Sequence, residues 1–187
     1  MMQIIAGSLR SRKLLPLEGR DIRPTSSRAR EAIFNMLMHR QTEEGESYII
    51  DQRIADFCCG SGAMGLEAIS RGAAHAVFVD SARASLDVAQ QNAQQFKVLE
   101  QCQFIAGDVT RLPAAKAPCR VIFCDPPYDL VVYGKVLGSI LEGNWLEPKG
   151  LVIMEQSSKT DVMPVDGFSM LADREYGSAR VVMWEKI

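Results

Sequence analysis

Long apolar runs are absent from this sequence of 187 residues. No stretch reaches the roughly 18 consecutive apolar residues that a membrane-spanning helix requires. The first residues, from Met1 to Gly7, also lack an apolar segment as long as that of a signal peptide. We therefore expect a cytoplasmic protein that makes no use of a membrane.

Cysteine and histidine are scarce, with five cysteines and two histidines in the chain. His39 and His75 have no cysteine or other histidine at metal-ligand spacing, so no metal site is predicted. The number of cysteines is odd, and Cys58 and Cys59 are neighbours that would point to opposite faces of a strand. These features indicate reduced thiols in a cytosolic protein and two small core residues in the adjacent pair.

Neither sign of charge dominates, but the charges are unevenly distributed. The formal net charge is −2, whereas residues 1–40 hold eight Lys or Arg and three Asp or Glu, a net of +5. Residues 41–187 hold 13 basic and 20 acidic residues, a net of −7. A basic end on an acidic body indicates an oriented contact with a polyanion, and a solvated, charge-rich surface is the alternative.

The first residues of this basic part predict a small β-hairpin. Residues 3–6 and 12–15 are strand-like and flank a turn that contains glycine. Arg10, Arg12 and Lys13 would then lie near the tip of the hairpin, where they could contact phosphates.

A helix is predicted from about Arg28 to Arg40, after a loop whose last residues could cap it: Thr25, Ser26 and Ser27. Arg28 and Arg30 lie in its first turn, where positive charge is unfavourable beside the helix dipole. An anion that covers the two arginines explains this placement, and two solvated arginines explain it equally well.

From residue 51 onward, strand patterns alternate with helical patterns. Repeated strand–helix units predict an α/β fold, in which a mostly parallel sheet carries helices on both faces. The last two strands have only a short turn between them, so they should form an antiparallel hairpin at the sheet edge. The predicted strands are Arg53–Cys58, Ala76–Asp80, Gln103–Ile105, Arg120–Cys124, Leu151–Glu155, Phe168–Glu175 and Arg180–Glu185. The predicted helices are Ala63–Arg71, Arg83–Phe96 and Val131–Glu142.

A glycine-rich turn joins the first of these strands to the first of these helices. Gly60, Gly62 and Gly65 fit the spacing of a dinucleotide-binding fingerprint, and Asp80 follows about twenty residues later. An NAD-dependent oxidoreductase is therefore one interpretation. Asp56 argues against it, because a carboxylate is unfavourable beside a pyrophosphate but suits the ammonium and sulfonium groups of S-adenosylmethionine.

Acids stand at the ends of four successive strands: Asp56, Asp80, Asp108 and Asp125. Asp80 could accept hydrogen bonds from both ribose hydroxyls of a cofactor, and Asp108 could accept one from an adenine amino group. Four such acids in a row favour a ligand site over ordinary loop acids.

The stretch from Val121 to Tyr128 runs from apolar residues into Asp125, Pro126 and Pro127. Two prolines cannot continue a strand, so the chain must leave the sheet at Asp125. That edge of an open α/β sheet is where ligands bind. A carboxylate, a backbone carbonyl and an aromatic ring placed together there suit a flat base that carries an amino group.

These residues resemble those of a known superfamily. The turn from Asp56 to Gly65, the later acids and the Asp-Pro-Pro-Tyr motif are similar to class I S-adenosylmethionine-dependent methyltransferases. The segments 4–14 and 23–35 are similar to the N-terminal signature of the RsmD family, the bacterial 16S rRNA guanine-N2 methyltransferases. Ser27 stands where that family usually has an acid.

The resemblance implies a Rossmann-like class I fold, S-adenosylmethionine as cofactor and 16S rRNA, within a small-subunit particle, as partner. It divides the chain into an RNA-binding extension, 1–40, and a catalytic domain, 41–187. The implied catalytic residues are Asp125, Pro126, Pro127 and Tyr128. The implied cofactor contacts are Asp56, Phe57, Gly60, Ser61, Gly62, Gly65, Asp80, Ser81, Asp108, Val109 and Asp125. The implied RNA contacts are Arg10, Arg12, Lys13, Arg23, Thr25, Arg28 and Arg30.

Three further interpretations compete with this one. A DNA amino-methyltransferase shares the Asp-Pro-Pro-Tyr motif, but this chain has no room for a separate target-recognition domain. A protein-glutamine methyltransferase more often carries Asn at the position of Asp125. A non-enzymatic RNA-binding module would not need acids at four strand ends.

Overall fold

In the part of the chain that the structure describes, the fold is built on a seven-stranded sheet with the strand order β3-β2-β1-β4-β5-β7-β6. The computed structural model describes residues 2–17, 27–126 and 133–187. The strands are β1 Arg53–Phe57, β2 His75–Asp80, β3 Cys102–Ala106, β4 Cys119–Cys124, β5 Leu146–Ser157, β6 Phe168–Tyr176 and β7 Ala179–Lys186. The helices are α1 Ser27–Met38, α2 Ala63–Ser70, α3 Arg83–Phe96 and α4 Tyr133–Glu142, and a short 3-10 helix spans Leu99–Gln101.

Strand pairing follows the pattern that the sequence predicts. Strands β1 to β5 pair in parallel, and β7 pairs antiparallel with both β5 and β6. Parallel pairing of β1 with both β2 and β4 places the reversal of strand order between β1 and β4. The Rossmann-like fold and its antiparallel edge hairpin are therefore confirmed.

Strand β5 is the element whose start the sequence obscures. We predicted a start at Leu151, but the strand begins at Leu146 and its pairing with β4 shifts register between Cys119 and Val121. Pro148 and Gly150 within this extension look like turn residues, because proline cannot donate to the ladder and glycine weakens a strand. The register shift accommodates them. Residues 131 and 132 of the predicted last helix lie outside the described residues.

Two apolar cores lie on opposite faces of the sheet. Ile54, Phe123 and Ile153 point to the face that packs against α1, α2 and α3. Their chain neighbours point to the other face, which packs against α4. Because the central strands are buried on both faces, they appear in the sequence as continuous apolar runs. The prediction of helices on both faces is confirmed.

The N-terminal residues are fastened to α2 by a buried carboxylate. Glu67 is fully buried and accepts hydrogen bonds from the backbone N–H groups of Ile5, at 2.7 Å, and Ala6, at 3.1 Å. The predicted hairpin is present as a single antiparallel pair, Gln3 with Lys13. Within residues 2–17 the pairing does not lengthen into strands, because the backbone of the first half bonds to Glu67 instead.

The burial of Arg30 contradicts the prediction that this residue binds RNA. Its side chain is 1% exposed, and its Nη2 donates to the backbone oxygen of Gln3 at 2.7 Å. Its Nε lies 4.0 Å from the carboxylate of Glu67. The first turn of α1 faces the core at this residue, so the Arg30 guanidinium pairs with an internal charge rather than with an external phosphate.

Among the described residues, no helix is long and apolar enough to cross a membrane.

Candidate active site

The four predicted acids meet along one edge of the sheet. Asp56 lies in β1 one residue before its end, and Asp80 ends β2. Asp108 follows β3 by two residues, and Asp125 directly follows β4. Since these four strands are consecutive neighbours and parallel, their carboxyl ends share one edge, on either side of the reversal of strand order. This is the position at which open α/β sheets bind ligands.

The glycine-rich turn between β1 and α2 is held by Asp80. Gly60 and Gly62 adopt positive φ angles of 53° and 79°, which favour glycine, and Cys58 adopts one of 55°. The backbone N–H of Gly60 donates to Asp80 Oδ2 at 3.0 Å, and that of Ala82 donates to Asp80 Oδ1 at 2.8 Å. Asp80 therefore ties the turn to the next strand and still has lone pairs that can accept hydroxyl groups.

Asn92 supports the same turn and was not predicted. It is fully buried on α3, and its Nδ2 donates to the backbone oxygen of Ser61 at 3.0 Å. Its Oδ1 accepts from the backbone N–H of Leu15 at 2.8 Å, so it links the turn to the N-terminal segment. The sequence contained a signal for this role, because Asn92 is a polar residue on the apolar stripe of the helix, between Ala89 and Phe96.

Asp56 is the most perturbed acid of the site. It is 4% exposed, and its Oδ2 accepts from the backbone N–H of Gly65 at 2.9 Å. Burial raises the pKa of Asp56 to about 8, against the effect of the Gly65 bond and with help from the negative charges of Asp125 and Asp80. The acid is consequently neutral at pH 7, and a cation brought beside it would favour its ionised form.

The same bond argues against a dinucleotide. A pyrophosphate would need the N–H groups at the start of α2, and the Gly65 N–H is already bound by Asp56.

A second acid, Asp108, is ionised. Hydrogen bonds from the hydroxyl and backbone of Thr110, followed by Arg111, lower the pKa of Asp108. An edge lined with acids suits a ligand that presents amino, hydroxyl and cationic groups.

Asp125 and Pro126 are held at the end of β4 by the neighbouring strand. The backbone N–H of Asp125 donates to the oxygen of Phe57 at 3.3 Å, and Pro126 is buried. A cavity of about 20 Å³ opens beside them, between α1 and the sheet. Its lining combines apolar walls with three acids: Ile33, Asp56, Met64, Phe123, Cys124, Asp125, Ile153 and Glu155. The carboxylate of Glu155 is a component that sequence reasoning missed, although it also follows an apolar strand pattern.

Two of the implied cofactor contacts could be made only through backbone atoms. Phe57 is fully buried in the core on the α4 face, with its ring 5.3 Å from that of Trp145. Val109 is buried in the same core. Their side chains thus face away from the turn, and only their backbone atoms could meet a cofactor. Ser81 is exposed beside Asp80, as a ligand contact requires.

The basic residues are divided between the surface and the interior. Arg10, Lys13 and Arg28 are exposed. Arg12 is exposed too, but its Nη1 donates to the backbone oxygen of Gln95 at 3.3 Å. Arg23, Thr25, Pro127 and Tyr128 lie outside the described residues. Among the described residues, no group of three or more His, Cys, Asp or Glu is arranged to hold a metal ion.

Comparison with known proteins assigns the family. The family model described as "Conserved hypothetical protein 95" matches residues 2–185. The chain belongs to this family. It is 30% identical over 190 aligned residues to "Putative rRNA methyltransferase YlbH" of Bacillus subtilis, covering 99% of each chain. It is 31% identical to "Ribosomal RNA small subunit methyltransferase D" of Escherichia coli K12, over 82% of this chain and 74% of that one.

Membership in the Conserved hypothetical protein 95 family also agrees with the fold. The solved structure "Putative methyltransferase yhhF from Escherichia coli" superposes with a TM-score of 0.82 at 26% identity, over 99% of this chain and 97% of that one. The predicted relation to the RsmD family is confirmed by the relatives' names. The fold of this chain is thus shared with that structure over nearly the whole length of both chains.

Proposed function

We propose that this chain transfers the methyl group of S-adenosylmethionine to the exocyclic N2 of a guanine in bacterial 16S rRNA. The observation that carries the proposal is the placement of Asp125 and Pro126, at the reversal of strand order, beside Asp56 and the glycine-rich turn. A methyl donor and an amino-bearing acceptor would meet there. The family relatives named as rRNA methyltransferases support RNA as the substrate. The proposed location is the bacterial cytoplasm, where rRNA is made.

The acids of the edge fit the groups of S-adenosylmethionine. Asp80 has capacity to accept the ribose hydroxyls, and Asp108, which is ionised, can accept from the adenine amino group. Asp56 would face the ammonium group, and its raised pKa would fall when that charge arrives. The bound cofactor supplies an activated methyl group on a sulfonium. The chain's own task is to hold that methyl group in line with the acceptor nitrogen.

Asp125 and Pro126 act on the acceptor. The amino nitrogen of guanine is a weak nucleophile, because its lone pair is delocalised into the ring. Hydrogen bonds from the amino hydrogens to the Asp125 carboxylate and the Pro126 carbonyl favour a pyramidal nitrogen whose lone pair points at the methyl group. Tyr128 would stack on the base, a contact of about 1–3 kcal/mol, and the base must be unpaired to enter.

The N-terminal part would bind the RNA. Arg10, Lys13 and Arg28 are exposed on a segment with a net charge of +5 in its first 40 residues. Ile33 of α1 lines the cavity beside Asp125, so α1 connects this part of the chain to the acidic edge. We expect it to contact phosphates around the target guanine and to direct that base into the site.

The test is an Asp125→Asn variant assayed on small ribosomal subunits from cells that lack this methylation. We expect methylation, mapped by mass spectrometry, to fall by about 100-fold or more, because removal of one catalytic group commonly has an effect of that size. Calorimetric affinity for S-adenosylmethionine should stay close to that of the wild type.

Asp166→Asn, at an exposed acid on the loop before β6, serves as the matched control and should leave methylation unchanged. Equal losses of methylation and cofactor affinity in Asp125→Asn would make Asp125 a cofactor or folding residue. Binding of NAD instead of S-adenosylmethionine by the wild type would support the oxidoreductase interpretation.

A further inference from the structure

Glu155 lies beside Asp125 on the neighbouring strand. Strands β4 and β5 pair in parallel with Phe123 opposite Ile153 and Cys124 opposite Met154. Continuing the register by one residue places Asp125 opposite Glu155. Because side chains alternate along strands, both acids point to the face of Phe123 and Ile153, which is the face covered by α1.

Both acids border the same cavity. Asp125 and Glu155 line the hollow of about 20 Å³ together with Ile33 of α1. Neighbouring strands lie about 4.8 Å apart, so two carboxylates on adjacent strands can contact adjacent groups of one ligand. Glu155 is only 6% exposed, and its surroundings are largely apolar. A hydrogen bond accepted there has little competition from water.

Guanine presents two adjacent donors on its Watson–Crick edge, the N2 amino group and the N1–H. Under the proposed function, Asp125 accepts from the N2 amino group. We propose that Glu155 accepts the N1–H of the same base and thereby selects guanine among the bases that carry an amino group. This inference rests on the proposed function and adds to it a residue that determines base specificity.

The selection follows from the chemistry of the N1 position. In adenine and in 2,6-diaminopurine, N1 is an acceptor, so its lone pair would face the Glu155 carboxylate without a proton between them. A site that buries an acceptor for a required donor rejects analogues without that donor far more strongly than an apolar pocket does. 2,6-Diaminopurine is the informative probe, because it keeps the 2-amino group and lacks the N1–H.

The experiment compares guanine with 2,6-diaminopurine at the methylated position. Small subunits are reconstituted with 16S rRNA in which a ligated synthetic segment carries either base, and kcat/KM is measured for the wild type and Glu155→Gln. The wild type should prefer guanine by about 100-fold. In Glu155→Gln, whose amide can donate to N1 of 2,6-diaminopurine, the preference should fall by about tenfold or more.

Glu147→Gln, at the start of the same strand and paired with Arg120, is the matched control and should keep the wild-type preference. An equal loss on both bases in Glu155→Gln, with the ratio unchanged, would overturn the inference and leave the proposed function intact. A wild type that methylates both bases equally would overturn it without reference to any variant. A wild type that methylates no guanine on these particles would overturn the proposed function and the inference together.

Discussion

Asp56 shows how a single buried residue can couple ligand charge to stability. The residue is 4% exposed, its carboxyl group accepts a hydrogen bond from the start of α2, and it lies near two other acids. The protein tolerates it because the group is protonated while no cation is present. The ammonium group of a ligand would stabilise the ionised carboxylate, and the carboxyl group would then release its proton. The residue is therefore arranged to favour cationic ligands over neutral ones.

The raised pKa of Asp56 makes the free energy of unfolding fall as pH rises. In the folded protein the pKa is about 8, against an ordinary value of 3.8. Between these values the folded state holds a proton that the unfolded state has released, so stability declines with increasing pH. From pH 5 to pH 7 we expect a loss of about 3 kcal/mol from this group, since each of the two pH units corresponds to about 1.4 kcal/mol.

Urea denaturation at both pH values would measure this loss, with Asp56→Asn as the comparison. The asparagine keeps an oxygen for the Gly65 N–H and cannot ionise, so its stability should change less over the same pH range. Equal pH dependence in the two proteins would show that Asp56 of the folded protein does not keep its proton in this window.

The first turn of α2 depends on a close approach to β2. A Cβ atom added at Gly65 would lie 2.4 Å from Cε1 and 2.7 Å from Cζ of Phe78. The Phe78 ring is fully buried and stacks on Phe104 with 5.1 Å between centroids, so it has no space into which to move. The glycine that a sequence fingerprint marks for ligand binding therefore also determines how closely helix and sheet can pack.

Gly65→Ala should lower the free energy of unfolding by about 1–3 kcal/mol, the usual cost of overpacking a core. Gly138→Ala is the matched control in α4, where an added Cβ has no atom within 4 Å. That variant should gain about 0.5–1 kcal/mol, because alanine is favoured over glycine inside helices. Chemical denaturation of both variants measures the difference, and a Gly65→Ala protein as stable as the wild type would contradict the packing argument.

The molecule as a whole is electrically asymmetric. Its first 40 residues carry a net charge of +5 and the remainder −7. Of the basic N-terminal part, α1 reaches the cavity beside Asp125 through Ile33, whereas Lys13 is bonded to Gln95 near the C-terminal end of α3. Under the proposed function, the positive segment attracts the RNA, whose phosphates the acids by themselves would repel.

Replacement of Arg10 and Lys13 by alanine should weaken RNA binding and reduce its dependence on salt. Each RNA phosphate that the protein no longer neutralises lowers the slope of log affinity against log salt by about 0.7 for single-stranded RNA, so two such phosphates should lower it by about 1.4. Lys116→Ala with Lys135→Ala removes the same charge from exposed residues near α4, on the opposite face. Fluorescence anisotropy with a labelled 16S rRNA fragment measures both slopes. Equal slopes for the two double variants would show that Arg10 and Lys13 of the N-terminal segment are not part of the RNA interface.

The sequence alone determined which elements form and where the acids stand along the chain. Apolar runs, glycines and prolines act within a few residues, so the strand that ends at Cys124 and the exit of the chain at Asp125 could both be predicted. The alternation of side chains along a strand could also have shown that Phe57, next to Asp56, points to the other face. Any cofactor contact of Phe57 is therefore limited to its backbone atoms, which the motif alone did not indicate.

The tertiary structure decided which of these residues meet. Arg30 looked like a surface cation, and it is buried because Glu67, distant in the chain, is brought opposite it by the packing of α1 on α2. Glu155 joins the acidic edge because β5 lies next to β4 in parallel register. Contacts of this kind depend on strand order and helix packing, which arise from the burial of the whole sheet, and no local pattern of residues encodes them.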